Sequence, residues 1–229
     1  MIAEINVFES EMKKLAEVKR IRCGGVNSYL IEEQGRAVLV DTGRIGFEEK
    51  VLAQCRKTKV ELIVLTHGHA DHVQNAAYLR KELGVPVALH KKDLNLIEDN
   101  FMEPFRFQGM LGMAVAEVTA KSFESDRIPE FIPEIFINEG DWLRDYGIHA
   151  RIMELPGHTR GSIGIDLDEK DVIVGDALMN MFYPGLSLVY WDRAEMLKSA
   201  DKISALGARK VYFGHGSPVE NRAWNKTGI

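Results

Sequence analysis

The stretch Thr66-His67-Gly68-His69-Ala70-Asp71-His72 puts three imidazoles and a carboxylate into six consecutive positions, directly behind the apolar run Leu62-Ile63-Val64-Leu65. Such side chains pack poorly against one another and hold water, so a merely structural polar loop is a poor account of them. Imidazole nitrogens and a carboxylate oxygen suit a borderline cation, zinc first, with iron or manganese as alternatives. More donors of the same kind lie downstream: His158 in Pro156-Gly157-His158-Thr159, Asp176 after Gly175, and His215 between Gly214 and Gly216.

Five of the seven histidines thus join two aspartates in one candidate set. A tetrahedral catalytic zinc needs only three protein ligands, so a set this large points to two ions. The natural division gives His67, His69 and His158 to one ion and Asp71, His72 and His215 to the other, with Asp176 as the bridging carboxylate. Asp71 and Asp176 are the candidate catalytic carboxylates. Two cations about 3.5–4 Å apart share a hydroxide whose pKa falls toward neutrality. That hydroxide attacks an acyl or phosphoryl centre while the second metal holds the oxyanion or the leaving group. No Ser-His-Asp or reactive-cysteine arrangement is required. Cys23 and Cys55 have no visible activating context and read as packing residues.

Elements that can position these residues are visible as short β-type runs at 28–31, 37–40, 62–65, 85–89, 151–155, 163–167, 172–174 and 211–213. Each candidate ligand leaves the C-terminal end of such a run, most of them through a glycine that permits a sharp turn. Strand ends in one packed assembly converge on a shared edge, where loops on a rigid scaffold form sites. Helical spacing of Val73, Ala76, Leu79 and Leu83 predicts a helix over 72–83, stopped by Gly84 and Pro86. A second helix is predicted over 193–206, capped by Asp192 with Glu195 as its reciprocal partner and ended by Gly207. Strands mixed with helices make an α+β chain of α/β type.

Between 93 and 141 the pattern turns irregular and rich in Met and Phe, with Phe101, Met102, Phe105, Phe107, Met110 and Met113. This segment reads as an ordinary helical insertion closing over the core, or else as a cap that lines a substrate pocket or makes a homodimer contact. His90 reads as a surface residue or as support behind the ligands. His149 suits a solvated strand face. Asp41, in Val40-Asp41-Thr42-Gly43, suits a turn or an acceptor that orients a ligating histidine.

At 229 residues with ordinary apolar and charged fractions, the chain is long enough for a substantial core and reads as a single domain over 1–229. A net charge of −5 without a basic run gives no support for nucleic acid or an anionic membrane as partner, leaving a small-molecule substrate. No apolar stretch has the length to span a bilayer. The opening Met1-Ile2-Ala3-Glu4-Ile5-Asn6 is acidic and lacks the apolar core of a signal peptide. Two cysteines far apart in sequence make a disulfide framework unlike this chain and a reducing, cytoplasmic setting the expectation.

In order along the chain, Val40-Asp41-Thr42-Gly43, the 67–72 cluster, Pro156-Gly157-His158-Thr159-Arg160-Gly161-Ser162, Gly175-Asp176 and Gly214-His215-Gly216 resemble the metallo-β-lactamase superfamily of hydrolases. The resemblance runs from Asn27 to Gly216. It implies a four-layer αββα sandwich with a dinuclear site at one edge of its two sheets, the ligand division given above, and a place for Asp41 behind the ligands. The segment 156–162 looks like that of hydroxyacylglutathione hydrolases, which usually carry a C-terminal helical region that helps bind glutathione; here 217–229 follow His215. Acyl-homoserine lactonases share the ligand pattern and often place a tyrosine near the metals; Tyr183 and Tyr190 lie downstream of Asp176, and the sequence singles out neither. The antibiotic-hydrolysing branch typically lacks the Asp71-His72 pair in this combination, so β-lactam turnover is not expected. The expected activity is metal-dependent cleavage of an ester, thioester or lactone. The alternative on the same fold is a persulfide dioxygenase-like oxidoreductase with one iron.

Overall fold

Residues such as Leu62-Ile63-Val64 are apolar at every position because their strand is covered on both faces, and the fold supplies a cover for each. The structure is a computed structural model in which residues 16–104, 106–125, 127–167 and 170–225 are described; Met1 to Asn6 and Phe105 of the sequence reading lie outside them. The chain opens with β1 (Glu17–Cys23), β2 (Val26–Glu33) and β3 (Arg36–Val40), an antiparallel meander. Helix α1 (Glu48–Cys55) leads to β4 (Lys59–Val64), and the pair α2 (Ala70–Val73) and α3 (Ala76–Leu83) leads to β5 (Val87–Leu89). Strands β3, β4 and β5 run parallel, as crossover helices require.

The segment 93–141 contributes α4 (Leu94–Glu98), β6 (Arg106–Phe107), the long α5 (Gly109–Ser125) and β7 (Ile135–Phe136), which adds to β5 and completes a sheet ordered β1-β2-β3-β4-β5-β7. The second half supplies β8 (Ala150–Glu154), β9 (Ile163–Leu167) and β10 (Asp171–Ile173), then the short β11 (Leu178–Met179), β12 (Gly185–Leu186) and β13 (Val189–Tyr190). Helix α6 (Arg193–Ser204), β14 (Lys210–Tyr212) and β15 (Val219–Glu220) finish it, and the second sheet is ordered β15-β14-β10-β9-β8.

Period-two alternation sorts the apolar residues into three layers. Tyr29, Ile31, Val38, Val40, Leu62 and Val64 of the first sheet meet Ile152, Ile163, Ile165, Leu167 and Ile173 of the second. Their neighbours Leu30, Leu39 and Ile63 point the other way and pack on Val51, Leu52 and Leu79 of α1 and α3. On the far side, Val172, Val174 and Val211 pack on Ala200 and Ile203 of α6. Three apolar layers between four structural ones make the αββα sandwich, with burial of each large aliphatic side chain contributing ~1.5–3 kcal/mol. Among the described residues, no helix is long and apolar enough to cross a membrane.

Several sequence expectations are corrected. The helix expected over 72–83 is two helices, because Gln74 and Asn75 turn out of the axis and spend their side chains on the loop after β3. Asn75 Nδ2 donates to the carbonyls of Thr42, Gly43 and Arg44, and Gln74 Oε1 accepts from Ile45 N–H. Asp192 caps α6 through Ala194 and Glu195 N–H, but Glu195 pairs with Lys198 instead of closing a reciprocal box. His149 lies just before β8, where its ring meets Arg144 and Trp142, and not on a solvated strand face. His90 is no surface residue: it is buried, donates from Nε2 to Glu154 at the end of β8, and so ties the two sheets together.

Candidate metal centre

The topology brings the candidate residues to one edge. Parallel β3 and β4 end side by side, delivering Asp41 and then Thr66-His67. In the second sheet β8, β10 and β14 all run the same way, so His158, Asp176 and His215 follow ends that share an edge. Backbone hydrogen bonds stitch the loops together: Gly214 N–H to Gly175 O at 2.8 Å, Ile163 N–H to Thr66 O at 2.8 Å, and Asn27 N–H to Gly214 O at 2.8 Å. Gly214 has to be glycine, because a Cβ there would lie 2.0 Å from Asp176 Oδ1 and 2.6 Å from the His72 ring.

All seven candidate ligands meet at this edge. Ligand atoms of His67, His69 and His158 lie within 4.8 Å of one another, as do those of Asp71, His72 and His215, and those of His67, His72 and Asp176. Asp176 Oδ1 is 3.6 Å from His72 Nε2, while its Oδ2 is 3.2 Å from His215 Nε2 and 3.8 Å from His158 Nε2. Asp71 Oδ2 is 3.4 Å from His215 Nε2, and His69 Nδ1 is 2.9 Å from His158 Nε2.

Four of the five rings are aimed by a bond on the nitrogen turned away from the cluster, which also sets the tautomer. His72 Nδ1 donates to Asp41 Oδ2 at 2.8 Å, His158 Nδ1 to Val189 O at 2.8 Å, and His215 Nδ1 to Gly25 O at 2.9 Å. Thr66 Oγ1 donates to Asp41 Oδ2, so it accepts from His67 Nδ1 at 3.1 Å. With Nδ1 engaged in this way, Nε2 of His67 and of His72 faces the cluster, both buried and without a hydrogen-bond partner, as is Asp176 Oδ1. Asp41 sits at φ +56°, in the left-handed region where Asp and Asn are favoured among non-glycine residues. It is therefore both the turn residue and the acceptor behind the ligands.

Electrostatics divide the cluster. Burial, with His72 close by, holds the His67 imidazole well below its usual range, and burial with His158 beside it drives His69 down to about 3. Burial also opposes charge on His72, but Asp71 and Asp41 outweigh it and raise the ring to about 9. Burial would push the Asp71 and Asp176 carboxyls up, yet His72 and His215 hold both well below the usual carboxylate range. The neutral His67 and His69 and the ionised Asp71 and Asp176 are ready donors for cations, whereas His72 and His215, both raised by the carboxylates, would release a proton on binding one.

Sequence reasoning missed the residues that fix the loops. Asp93 is fully buried and accepts from Gly68 N–H at 2.9 Å, Thr159 Oγ1 at 2.8 Å and Gly161 N–H at 2.6 Å. It clamps the loop carrying His67 and His69 to the loop carrying His158. Gly161 leaves room for it, since a Cβ there would lie 2.5 Å from Asp93 Oδ1. Asn100 adds a second clamp, taking Ala70 N–H on Oδ1 and donating from Nδ2 to Gly68 O. Both sit in the irregular segment as ordinary polar residues, without a spacing signal.

A cavity of 460 Å³ opens on His69, Asp71, His158, Asp176 and His215, and α5 forms its opposite wall. The insertion is thus a cap over the cluster, not only a cover for the core. Neither Tyr183 nor Tyr190 is among the residues that line the cavity.

Comparison with known proteins agrees with this architecture. The model of the metallo-beta-lactamase superfamily matches residues 21–215. The chain belongs to that superfamily. An uncharacterised protein of Mycobacterium tuberculosis is 30% identical over 203 residues, covering 83% of this chain and 86% of that protein. Hydroxyacylglutathione hydrolase GloC of Haemophilus influenzae is 29% identical over 199 residues, with 83% and 84% covered. Among solved structures, TTHA1623 in a di-iron-bound form superposes with a TM-score of 0.68 at 28% identity, covering 89% of this chain and 94% of that one.

Proposed function

We propose that the chain is a dinuclear metal-dependent hydrolase of esters, thioesters or lactones, one domain with α5 as its cap. The observation that carries this reading is Asp176, whose two oxygens reach toward both groups of histidines. The donor set fits divalent ions on its own chemistry. Leaving the buried nitrogens and oxygen unpaired costs ~1–3 kcal/mol each, which cations would remove. His67, His69 and His158 would hold one ion, Asp71, His72 and His215 the other, and Asp176 both. Zinc is the favoured ion, with iron and manganese as alternatives; the di-iron form of TTHA1623 supports keeping iron in view.

Two divalent ions held by these residues would supply an acidified water and a Lewis acid for the carbonyl to be attacked. The chain's residues set the geometry and handle the proton. Asp41, Val189 O and Gly25 O keep three imidazoles in the tautomer that presents Nε2. Asp71 lines the cavity with its side chain 26% exposed, more open than Asp176, so it is placed to take the proton of the attacking water and return it to the leaving atom. No cysteine competes as nucleophile: both are buried, burial pushes the Cys23 thiol up, and it pushes Cys55 to about 12. The relationship to a hydroxyacylglutathione hydrolase supports thioesters within the substrate range.

Elemental analysis of metal-replete protein, with a panel of esters, thioesters and lactones, tests the reading. Two zincs per chain with turnover are expected. One iron per chain and oxygen consumption with a thiol persulfide would replace the hydrolase with the oxidoreductase. Two ions without turnover would reduce it to a metal-binding domain.

A further inference from the structure

The cavity has two chemically different ends. Helix α5 turns one face inward, with lining positions 111, 115, 118, 119 and 122 spaced three and four apart. Its N-terminal end lies against the segment that carries Val189, because β6 pairs with β13 and a Cβ on Gly112 would lie 3.0 Å from Leu188 O. At that end Leu111 and Val115 share the wall with Met179 and Val189, all apolar, and His158 is held there by Val189 O. The C-terminal end of α5 lies against the loop after β3, since Gln74 takes Ile45 N–H and donates to Arg127 O. Thr119, Ser122 and Arg44 line that end. His215 and Asp71 belong to it as well, because His215 is held by Gly25 and a Cβ on the adjoining Gly24 would touch Phe47 in the same loop.

We infer that the apolar end takes a straight apolar acyl chain and the polar end takes the thiol or alcohol part of the substrate, so the substrate class is a longer-chain acyl ester or thioester. This rests on the hydrolase reading above. A hydroxylated short acyl group would set its hydroxyl against Leu111, Met179 and Val189, whose side chains offer no good hydrogen-bond partner. Val118, Met181 and Phe182 line the cavity yet are 69%, 41% and 59% exposed, so part of the cavity's apolar lining also reaches solvent. In the reaction a water oxygen bonds to the acyl carbon and the C–S or C–O bond breaks. The leaving sulfur or oxygen keeps the electron pair and takes a proton from that water. The products are the carboxylate, one released proton and the free thiol or alcohol.

The test uses metal-replete full-length protein with straight-chain acyl thioesters from acetyl to octanoyl, and in parallel calorimetric binding of the matching acyl amides, which do not need turnover. Both kcat/KM and affinity should rise about threefold to fourfold per methylene until the cavity is full. Ala114→Trp, at an exposed cavity-lining position of α5, should flatten that rise, so that the octanoyl-to-acetyl ratio of kcat/KM falls at least about tenfold. Val118→Asp, also exposed, should lower the affinity for the octanoyl amide more than that for the acetyl amide. Turnover that is flat with chain length, or higher for a hydroxyacyl thioester than for its alkyl counterpart, overturns the inference and leaves the hydrolase standing. Absent turnover on every substrate sinks the hydrolase instead; the amide series then decides the inference alone, upheld by rising affinity and overturned by none.

Discussion

The rim of candidate metal ligands and the cap helix α5 face each other across one cavity but are held in different ways. On the rim, His67, His72, His158 and His215 each have Nδ1 engaged by a neighbour, and the loops beneath are tied by Asp93, Asn100 and Asn75. On the cap, Met110, Met113 and Val118 are 83%, 52% and 69% exposed, and the wall is made of side chains that contribute shape and apolarity. Chemistry at an ion pair needs ligands placed within about half an ångström, whereas an apolar wall works over a range of positions. On the proposed hydrolase reading the rim would carry reactivity and the cap selectivity, and changes in the two should separate cleanly.

The sharpest break falls on Asp176, the carboxylate shared by both halves of the rim. Asp176→Ala should lower bound metal and reduce kcat/KM by at least about a thousandfold, ~4 kcal/mol of transition-state stabilisation. Elemental analysis alongside kinetics checks it. Full activity with two ions bound would show that no bridging carboxylate is needed.

Next comes the clamp beneath the rim. Asp93→Ala would strand Gly68 N–H, Gly161 N–H and the Thr159 hydroxyl in a buried setting. The expected cost is about 3 kcal/mol, a fall in Tm of roughly 6–12 °C. Calorimetry on metal-replete protein reads it, and an unchanged Tm would mean the loops hold themselves.

The same contrast explains what could be read from the amino-acid order. The clustered His and Asp residues were legible as candidates because unusual residue types recur behind apolar runs, and continuous runs such as Leu62-Ile63-Val64 mark strands buried on both faces. Strand β1 escaped because its charged residues Lys19, Arg20 and Arg22 break the apolar run, and β7 because two residues carry no period. Asp93 and Asn100 escaped for another reason: their importance lies in donors from distant loops, which no local spacing encodes. The cap's Met and Phe content was visible, but an exposed apolar helix and a buried one look alike in composition.

A smaller effect is expected where the rim is merely oriented. Asp41→Asn keeps a residue that accepts positive φ but weakens the charge-assisted bond to His72. Metal affinity measured by chelator competition should fall about 10–100-fold, with Tm of the metal-free protein nearly unchanged. Equal affinity would place the orienting work on backbone geometry instead of the carboxylate.

The smallest effect belongs to the cap's outer face. Met110 is the most exposed of the large apolar residues on α5 and does not line the cavity. Met110→Lys replaces one flexible side chain by another with good helix propensity, and no buried contact is lost. Stability should stay within about 0.5 kcal/mol and kcat/KM within about twofold, whereas a polar change of the same size at Ala114 or Val118 should move the acyl-chain preference. Should Met110→Lys lower Tm by many degrees, the helix is packed against something in solution, a second copy first, and sedimentation at two protein concentrations would show it. In that event the cap would no longer be the loose half of the comparison, because its outer face would be as tightly specified as the rim.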